Sequence, residues 1–165
     1  MAGVVTVEYL REVLRYDPSN GAFFWRAKIA RKIVVGSRAG GIDVSGYRVI
    51  GIGGSNYYAH RLAWLFMTGN MPDQIDHKNG NRDDNRWSNL RLATSQQNLM
   101  NSKLAKNNTS GRKGVSWHKG AGKWSAYIIN NGKKYHLGLF DDLSDASAAY
   151  INAANKIQPE FARAS

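Results

Sequence analysis

Residues 76–89 restrict the fold of this chain more than any other segment does. They read DHKNGNRDDNRWSN, and Trp87 is the only large apolar side chain among them. Asn and Asp favour turns, because their short side chains hydrogen-bond to nearby backbone groups. The segment is therefore predicted to be a polar loop, and the residues that follow it, 90–93 (LRLA), are predicted to be a short strand.

The residues before this loop carry the patterns of two helices and three strands. An apolar stripe predicts a helix over residues 6–16, capped by Thr6. The sequence DPSNG then predicts a turn, and the strand-like AFFW follows it. Two further strand candidates flank a glycine pair, and a helix over AHRLAWLFMT follows them and ends at Gly69. The strand candidates are residues 47–52 and 56–60, and the glycine pair is Gly53-Gly54.

The residues after the loop indicate a second group of elements. Thr94 and Gln97 have the spacing of a capping box, which predicts the start of a helix. Residues 102–110 are polar, basic and without periodicity, and they are predicted to be a linker. Three strand-like segments and a helical segment with Asp142 as its expected cap follow. These segments are residues 111–118, 123–130, 133–140 and 141–156. The predicted fold class is α+β, with a three-stranded antiparallel sheet covered by one helix.

The composition indicates which binding partners the protein can have and which metal sites it cannot contain. The formal net charge is +11, and 42% of the residues are hydrophobic, so the chain is basic yet able to form packed cores. Nucleic acid is the expected partner of such a chain. The absence of Cys excludes disulfides and Cys-ligated zinc sites. We see neither a secretory signal nor an apolar run of the roughly 18 residues that a membrane span requires, so a soluble, intracellular protein without membrane contact is expected.

Hydrolysis of a phosphodiester bond is a chemistry that the polar loop can supply. The reaction needs a base that deprotonates water and a cation that offsets charge on the phosphate and the leaving oxygen. A neutral His can be the base, and a hard divalent cation needs one or two oxygen ligands. Asp76 and His77 are adjacent, and Asn89 and Asn98 follow His77 by twelve and twenty-one residues. The Asp-His pair alone also fits an ordinary strand, whose neighbouring side chains point to opposite faces.

The run IDHKNGNRDDNRWSNLRLATSQQNLMN resembles the HNH nucleases, in particular the phage homing type whose third motif residue is Asn. The resemblance implies a ββα-metal finger (the His-Me finger). It would consist of a hairpin over residues 75–92 and a helix that starts near Thr94. The implied nuclease region spans residues 1–101, with its core at residues 57–101.

The same resemblance implies a role for each polar residue of the motif. His77 would be the general base that activates water. Asp76 and Asn98 would hold one Mg²⁺ or Mn²⁺ ion. Asn89 would brace the hairpin loop and keep His77 in register.

Other polar side chains near the motif have weaker signals. Arg82, Arg86 and Arg91 are predicted to contact DNA phosphates, with an ordinary solvated charge as the alternative for each. Trp87 is interpreted as a packing residue. His60 is interpreted as a structural residue at the passage from strand to helix, outside the catalytic set.

Residues 110–162 resemble the APETALA-type domain of plant ethylene-response factors. The resemblance rests on KGV, GKW and HLG in the three strands and on F-D-x-x-x-D-A-x-x-A-Y in the helix. It implies that residues 111–165 form a DNA-binding domain that reads the major groove with the exposed face of its sheet. A solvated basic face is the alternative.

Alternation along the strands assigns side chains to the two faces of this sheet. The face packed on the helix is predicted to contain Val115, Trp117, Trp124, Ala126, Ile128, Tyr135 and Leu137. The DNA-facing side is predicted to present Ser116, His118, Ser125, Tyr127, Ile129, Lys134 and His136, with Arg112, Lys113, Lys119 and Lys123 nearby.

Together these predictions give one leading hypothesis and two alternatives. The leading hypothesis is a phage-encoded, homing-type endonuclease of double-stranded DNA, acting in the host cytoplasm as a monomer without a protein partner. A monomer would nick one strand, whereas double-strand cleavage would need a dimer or two events. The alternatives are a DNA-binding regulatory protein with a decayed HNH frame and an RNA-binding or RNA-cleaving protein. Residues 1–58 are predicted to act as a scaffold or a DNA clamp.

Overall fold

A computed structural model describes residues 5–102, 104 and 107–159 of the chain. It contains four helices and several small antiparallel sheets within these ranges, which confirms the predicted α+β class. Two compact units are present, Met1–Leu92 and Ala93–Ser165. Within the described ranges, no helix has both the length and the apolar character that a bilayer span demands.

The first unit is built from two short helices and seven short strands. In chain order they are α1 (Val7–Val13), β1 (Leu14–Asp17), β2 (Ala22–Trp25), β3 (Gly41–Ile42), β4 (Arg48–Ile52), β5 (Ser55–Tyr58), α2 (Ala59–Thr68), β6 (Ile75–His77) and β7 (Leu90–Leu92), with a 3-10 turn over Trp87–Asn89. β1 pairs with β2, β3 with β4, β4 with β5 and β6 with β7, all antiparallel.

The predicted helix over residues 6–16 begins as expected but ends early. The Thr6 hydroxyl accepts a hydrogen bond from the backbone N–H of Tyr9 at 3.3 Å, so the cap is confirmed. Leu14 adopts an extended conformation and opens β1. The extension of the helix to residue 16 was therefore wrong. Tertiary packing decides this, because pairing with β2 buries Leu14 and Tyr16 and turns Arg15 to solvent.

The glycine signals in the middle of the unit are confirmed. Gly53 and Gly54 both have positive φ, 58° and 81°, and connect β4 to β5 in a two-residue hairpin. Gly69 ends α2 in the left-handed conformation, and its N–H donates to the carbonyl of Leu65 at 2.9 Å. The two-residue strand β3 at the edge of this sheet was not predicted.

One hydrophobic core holds the first unit together. Its fully buried side chains come from α1, β1, β2, β4 and α2, and Ile75 and Leu90 belong to the same cluster. Both ends of the predicted polar loop are thus attached to the core by an apolar residue. Trp87 packs against this core and lies 4.8 Å from Trp64, ring centroid to centroid, as expected of a packing residue.

The turn between β1 and β2 lies directly against the polar loop. The N–H of Trp87 donates to the carbonyl of Pro18 at 3.0 Å, and the Tyr16 hydroxyl donates to the carbonyl of Asn85 at 2.7 Å. Gly21 has φ 74°, and a Cβ at this position would clash with the backbone of Asn85 and Arg86. The N-terminal hairpin therefore packs directly on the loop and hydrogen-bonds to it.

The second unit contains α3 (Ser95–Asn101), β8 (Val115–His118), β9 (Lys123–Asn130), β10 (Lys133–Phe140) and α4 (Leu143–Ile157). The three strands form an antiparallel sheet in the order β10-β9-β8. Val115 and Ala126 of the sheet and Ala146 of α4 are buried together. The predicted sheet with one packed helix is confirmed. Asp142 is the N-cap residue of α4, but its side chain makes no capping hydrogen bond.

Helix α3 belongs to the second unit, whereas the sequence predicted it in the first. Met100 is buried with Ile128, Tyr150 and Ala154. The Gln96 amide donates to Asn130 Oδ1 at 2.6 Å and accepts from the Asn131 N–H at 2.7 Å. The division between the compact units falls between Leu92 and Ala93, before α3. The linker over residues 102–110 stays a prediction, and three of these residues lie outside the described ones.

Two aromatic residues depart from the predicted packing of the sheet. Trp117 is 47% exposed and Tyr135 is 48% exposed, although alternation assigns both to the face that packs on α4. Trp117 pairs with Trp124 at the edge strand β8, and Tyr135 pairs with Ile128 at the edge strand β10. A register shift between His136 and Gly138 also changes the alternation of β10.

We expect Gly21→Ala to destabilise the first unit more than Gly46→Ala does. Both glycines have positive φ, 74° and 85°, so each substitution should cost about 1 kcal/mol of backbone strain. Only Gly21 lies against other backbone, and the clash should add about 1–3 kcal/mol. Chemical denaturation of the two variants measures the difference. Equal free energies of unfolding would contradict the close approach of the first turn to the loop.

Candidate active site

The hairpin of β6 and β7 presents the two adjacent motif residues. Asp76 lies opposite Arg91, and His77 lies opposite Leu90. All three residues of β6 are buried, including both polar ones. A buried ionisable group needs partners, because desolvation penalises its charged form. The neighbours of Asp76 and His77 therefore decide what each can do.

Asp76 is partnered by Arg91 across the hairpin. Arg91 Nε and Nη2 lie 2.8 Å and 2.7 Å from Asp76 Oδ2, and both side chains are largely buried. This corrects the expectation that Arg91 contacts DNA phosphates, because the guanidinium is directed at the carboxylate opposite it. Arg91 instead balances the charge of Asp76 within the hairpin.

His77 is oriented by a residue that sequence reasoning missed. Its Nε2 lies 3.2 Å from Oδ1 of Asn85, which is only 1% exposed. Asn85 is itself held on both sides, because its Nδ2 donates to the carbonyl of Asp83 and its own carbonyl accepts from Tyr16. An amide oxygen is an acceptor, so this contact assigns the proton of the neutral imidazole to Nε2 and the lone pair to Nδ1. Nothing in the Asn-rich run distinguished Asn85 from its neighbours.

His60 packs edge-on against His77. The two ring centroids are 5.0 Å apart with an interplanar angle of 72°. Tyr58 stacks on the other side of His60 at 5.6 Å, and Tyr47 lies 5.3 Å from His60 and 6.1 Å from His77. Among the described residues, His60 Nδ1 is buried without a hydrogen-bond partner. His60 was interpreted as a structural residue, and its ring packs directly against His77.

Burial favours the neutral form of both imidazoles. Desolvation lowers the pKa of His77 below its ordinary value, and the hydrogen bond with Asn85 opposes part of this shift. Burial also lowers the pKa of His60 to about 3, and the nearby His77 and Arg61 add to the effect. His77 is therefore held as an uncharged imidazole at neutral pH, which is the form that can accept a proton.

Asn89 makes three side-chain hydrogen bonds within the polar loop. Its side chain is buried, and its Oδ1 accepts from the backbone N–H of Asn79 at 3.0 Å. Its Nδ2 donates to Asn79 Oδ1 at 3.0 Å and to the carbonyl of Asp84 at 2.7 Å. One side chain thereby ties the start and the end of the polar loop together.

Three arginines make further contacts with the loop or from it. Arg48 is buried and makes two hydrogen bonds to the Asp83 carboxylate, at 2.8 Å and 2.9 Å. Arg86 pairs with Asp84, and this contact lowers the pKa of Asp84. Arg82 donates to the carbonyl of Ser45 and lies over the Tyr47 ring at 4.8 Å. Arg82 and Arg86 are both exposed, so their predicted phosphate contacts remain predictions.

The donor atoms available here fit a magnesium-like ion better than zinc. Among the described residues, no group of three or more His, Asp or Glu side chains lies close enough together to hold a metal. The hairpin of the first unit carries the Asp76 carboxylate, and α3 of the second unit carries the Asn98 amide. Hard oxygen donors in small number are typical of Mg²⁺ and Mn²⁺ sites that retain several waters.

The exposed face of the β8–β10 sheet presents most of the residues predicted to contact DNA. Exposed members are Arg112, Ser116, His118, Lys119, Lys134 and His136, and partly exposed ones are Lys123, Ser125 and Tyr127. Lys134 Nζ lies 3.8 Å from the Tyr127 ring centroid, and Lys123 Nζ lies 3.0 Å from Asp141. Because of the register shift in β10, Leu139 pairs with Ser125 and joins this face, which was not predicted.

Lys113 is a correction to the predicted set. Its side chain is buried, and its Nζ donates to the carbonyl of Met100 at 2.6 Å. The residue precedes the strand, and its side chain is directed at the C-terminal part of α3 instead of the exposed face. Lys113 therefore fastens α3 within the second unit.

We expect His60→Phe to make the protein less sensitive to acid. Above about pH 6.5 His60 is neutral in both states, but below it the unfolded chain binds a proton that the folded protein excludes down to about pH 3. Wild-type stability should therefore fall as the pH drops through this range. In the variant, the free energy of unfolding should fall less steeply with decreasing pH, by up to about 1.4 kcal/mol per pH unit. Denaturation between about pH 4 and 6 measures it, with His136→Phe as an exposed control. An unchanged slope in His60→Phe would contradict the burial of a neutral His60.

Sequence comparisons with known proteins match the part of the chain that contains the hairpin of β6 and β7. Residues 57–100 match the family described as HNH endonuclease. The chain is 34% identical over 106 residues to Protein 3.8 of Escherichia phage T7, covering 63% of this chain and 87% of that protein. It is 33% identical over 106 residues to an uncharacterized HNH endonuclease of Acanthamoeba polyphaga mimivirus, covering 62% of this chain and 54%, about half, of that protein. The chain belongs to the HNH endonuclease family, and its HNH domain lies at residues 57–100.

Proposed function

We propose that this protein is a divalent-metal-dependent endonuclease that hydrolyses phosphodiester bonds in duplex DNA, with His77 as the general base. The observation that carries the proposal is the buried, neutral imidazole of His77 with Asn85 on its Nε2. Membership of the HNH endonuclease family and the formal charge of +11 support DNA as the substrate.

His77 would remove a proton from the attacking water through Nδ1. Its Nε2 proton is directed at Asn85, so Nδ1 is the nitrogen with the lone pair. The resulting imidazolium would be stabilised by the same amide oxygen and by the nearby carboxylates of Asp76 and Asp84, which raise the pKa of His77. Asn85 is therefore a positioning residue, and Asn89 would position the loop that carries it.

Asp76 and Asn98 would hold the metal ion, in accordance with their oxygen donors. A bound Mg²⁺ or Mn²⁺ supplies charge stabilisation for the phosphate and the leaving oxygen. Arg91 would hold the Asp76 carboxylate in a fixed orientation. Arg82 and Arg86 would contribute phosphate contacts beside the loop.

The exposed sheet face of the second unit would dock on DNA as an APETALA-type domain does. Three observations support this: the strand order β10-β9-β8 of the sheet, the packing of α4 on it, and the exposed basic and polar side chains on its outer face. Cation–π contact with Lys134 keeps the Tyr127 ring on that face. A relative in a phage supports a phage-encoded, homing-type enzyme acting in a bacterial cytoplasm, and one HNH site per chain favours nicking by a monomer.

We expect wild-type protein to convert supercoiled plasmid to open circle with Mg²⁺ or Mn²⁺ and not with EDTA. His77→Ala should lower the rate by about 10²–10⁴-fold, because the general base is lost. Gel analysis over time measures both, and a mobility shift in EDTA confirms that the variant still binds DNA. Linear product formed early would indicate paired cuts instead of nicks. Undiminished cleavage by His77→Ala would contradict the catalytic assignment, and retained binding without any cleavage would favour a DNA-binding regulator.

We expect the double variant Arg112→Gln, Lys134→Gln to bind duplex DNA about tenfold more weakly at ~0.1 M salt, because two phosphate contacts are lost. Fluorescence anisotropy of a labelled duplex measures the affinity. Lys156→Gln, an exposed position in the last turn of α4 and not in the three strands, is the control and should bind as wild type. Equal affinities for both variants would contradict docking by this face.

A further inference from the structure

The outer face of the N-terminal hairpin carries a row of side chains that the proposed site does not use. Arg15 of β1 lies directly opposite Phe24 of β2, and Phe24 forms an antiparallel bridge with Arg38. Arg15 Cζ lies 4.6 Å from the Phe24 ring centroid. The neighbouring residues Phe23 and Ala39 are fully buried, so alternation directs this row to solvent.

The segment between Phe24 and Arg38 adds further cations. Arg26 continues the register, because its N–H donates to the carbonyl of Val13 at 2.9 Å. The segment then leaves the hairpin and returns through two hydrogen bonds of Trp25, with Gly36 at 2.8 Å and Ser37 at 3.0 Å. Lys28, Arg31 and Lys32 lie within it and are exposed.

Apolar residues keep this segment ordered against the core. Ala27, Ile29 and Ile33 are partly buried and pack on the hydrophobic cluster of the first unit. The cations that alternate with them are consequently turned outward. A preorganised basic segment loses less conformational entropy on binding than a flexible tail would.

The charge of this face is not compensated. We call the six residues Arg15, Arg26, Lys28, Arg31, Lys32 and Arg38 the N-terminal basic face. Asp17 is the only acidic residue between positions 13 and 42, and its carboxylate accepts from Ser19 and Asn20 inside its own turn. Within the described parts of the chain, none of the six forms an ion pair with Asp or Glu. Three other arginines of the same unit, Arg48, Arg86 and Arg91, each form one.

We propose that the N-terminal basic face binds the phosphate backbone of duplex DNA, as a contact surface additional to the HNH loop and the C-terminal sheet. The proposal rests on the proposed function for the identity of the polyanion. Six exposed cations on one ordered stretch of the chain, with Arg15 and Arg38 on either side of Phe24, match a phosphate backbone. They would repel a second copy of the same face. The contacts are to phosphates, so they position the chain without reading sequence.

The test compares a neutralised triple variant with a charge-preserving one. Arg31→Gln, Lys32→Gln, Arg38→Gln removes three cations, whereas Arg31→Lys, Lys32→Arg, Arg38→Lys retains them at the same exposed positions. Both are made in the His77→Ala background and measured in EDTA, so cleavage does not enter the result. Thermal melting checks that each variant is folded.

We expect the neutralised triple to bind duplex DNA at least about tenfold more weakly at ~0.1 M salt. The slope of log K against log salt should decrease in magnitude by about 2 to 3, at about 0.9 per lost phosphate contact. The loss should be equal for two duplexes of unrelated sequence. The charge-preserving triple should stay within about twofold of the parent, since phosphate contacts depend mainly on charge.

Unchanged affinity and slope in the neutralised triple would overturn the proposal while leaving the plasmid assay untouched. A loss confined to one duplex sequence, or seen with single-stranded RNA and not with duplex DNA, would also overturn it. Weakened duplex binding together with a wild-type protein that never cleaves plasmid would support this surface and count against the catalytic proposal instead.

Discussion

The hydrogen bond between His77 and Asn85 determines which atom of the site can act as a base. It joins a strand residue whose position is set by the hairpin register to a loop residue that has almost no exposed surface. Because an amide oxygen accepts, the imidazole carries its proton on Nε2, and the opposite nitrogen is basic. Tyr16 then ties Asn85 to the N-terminal hairpin. The position of Asn85 beside His77 thus depends on a residue that lies 69 positions earlier in the chain.

A polar loop next to a hydrophobic core is stable only if its own groups satisfy one another. Buried polar atoms without partners destabilise a fold, by about 1–3 kcal/mol for each. Asn89 makes three hydrogen bonds within the loop, and Arg48 makes two to Asp83. Gly21 allows the first turn to approach the loop closely. Several of the Asn and Asp residues that give the segment its composition therefore hold the loop together, and Asn85 orients His77.

The HNH match and the compact units divide the chain at different places. The match runs over residues 57–100, whereas the units divide between Leu92 and Ala93. Helix α3 completes the family pattern in sequence, yet its apolar side is buried with the C-terminal sheet and helix, and Lys113 binds its last turn. A change in the second unit that displaces α3 would therefore also displace Asn98. The helix that carries Asn98 is thus held within the second unit.

The sequence by itself determined the features that depend on contacts between near neighbours in the chain. The sequence predicted the helix caps at Thr6 and Thr94, the hairpin turn at Gly53-Gly54 and the helix end at Gly69. It also predicted the three C-terminal strands and their helix. These features depend on hydrogen bonds and φ preferences that act within a few residues. The tertiary structure decided the rest. Strand pairing ended α1 at Val13 and placed Arg91 on Asp76, and core packing brought His60 and Asn85 to His77. Such contacts join residues that local patterns treat as independent, so only the folded chain selects which of many similar Asn, Arg and His side chains meet.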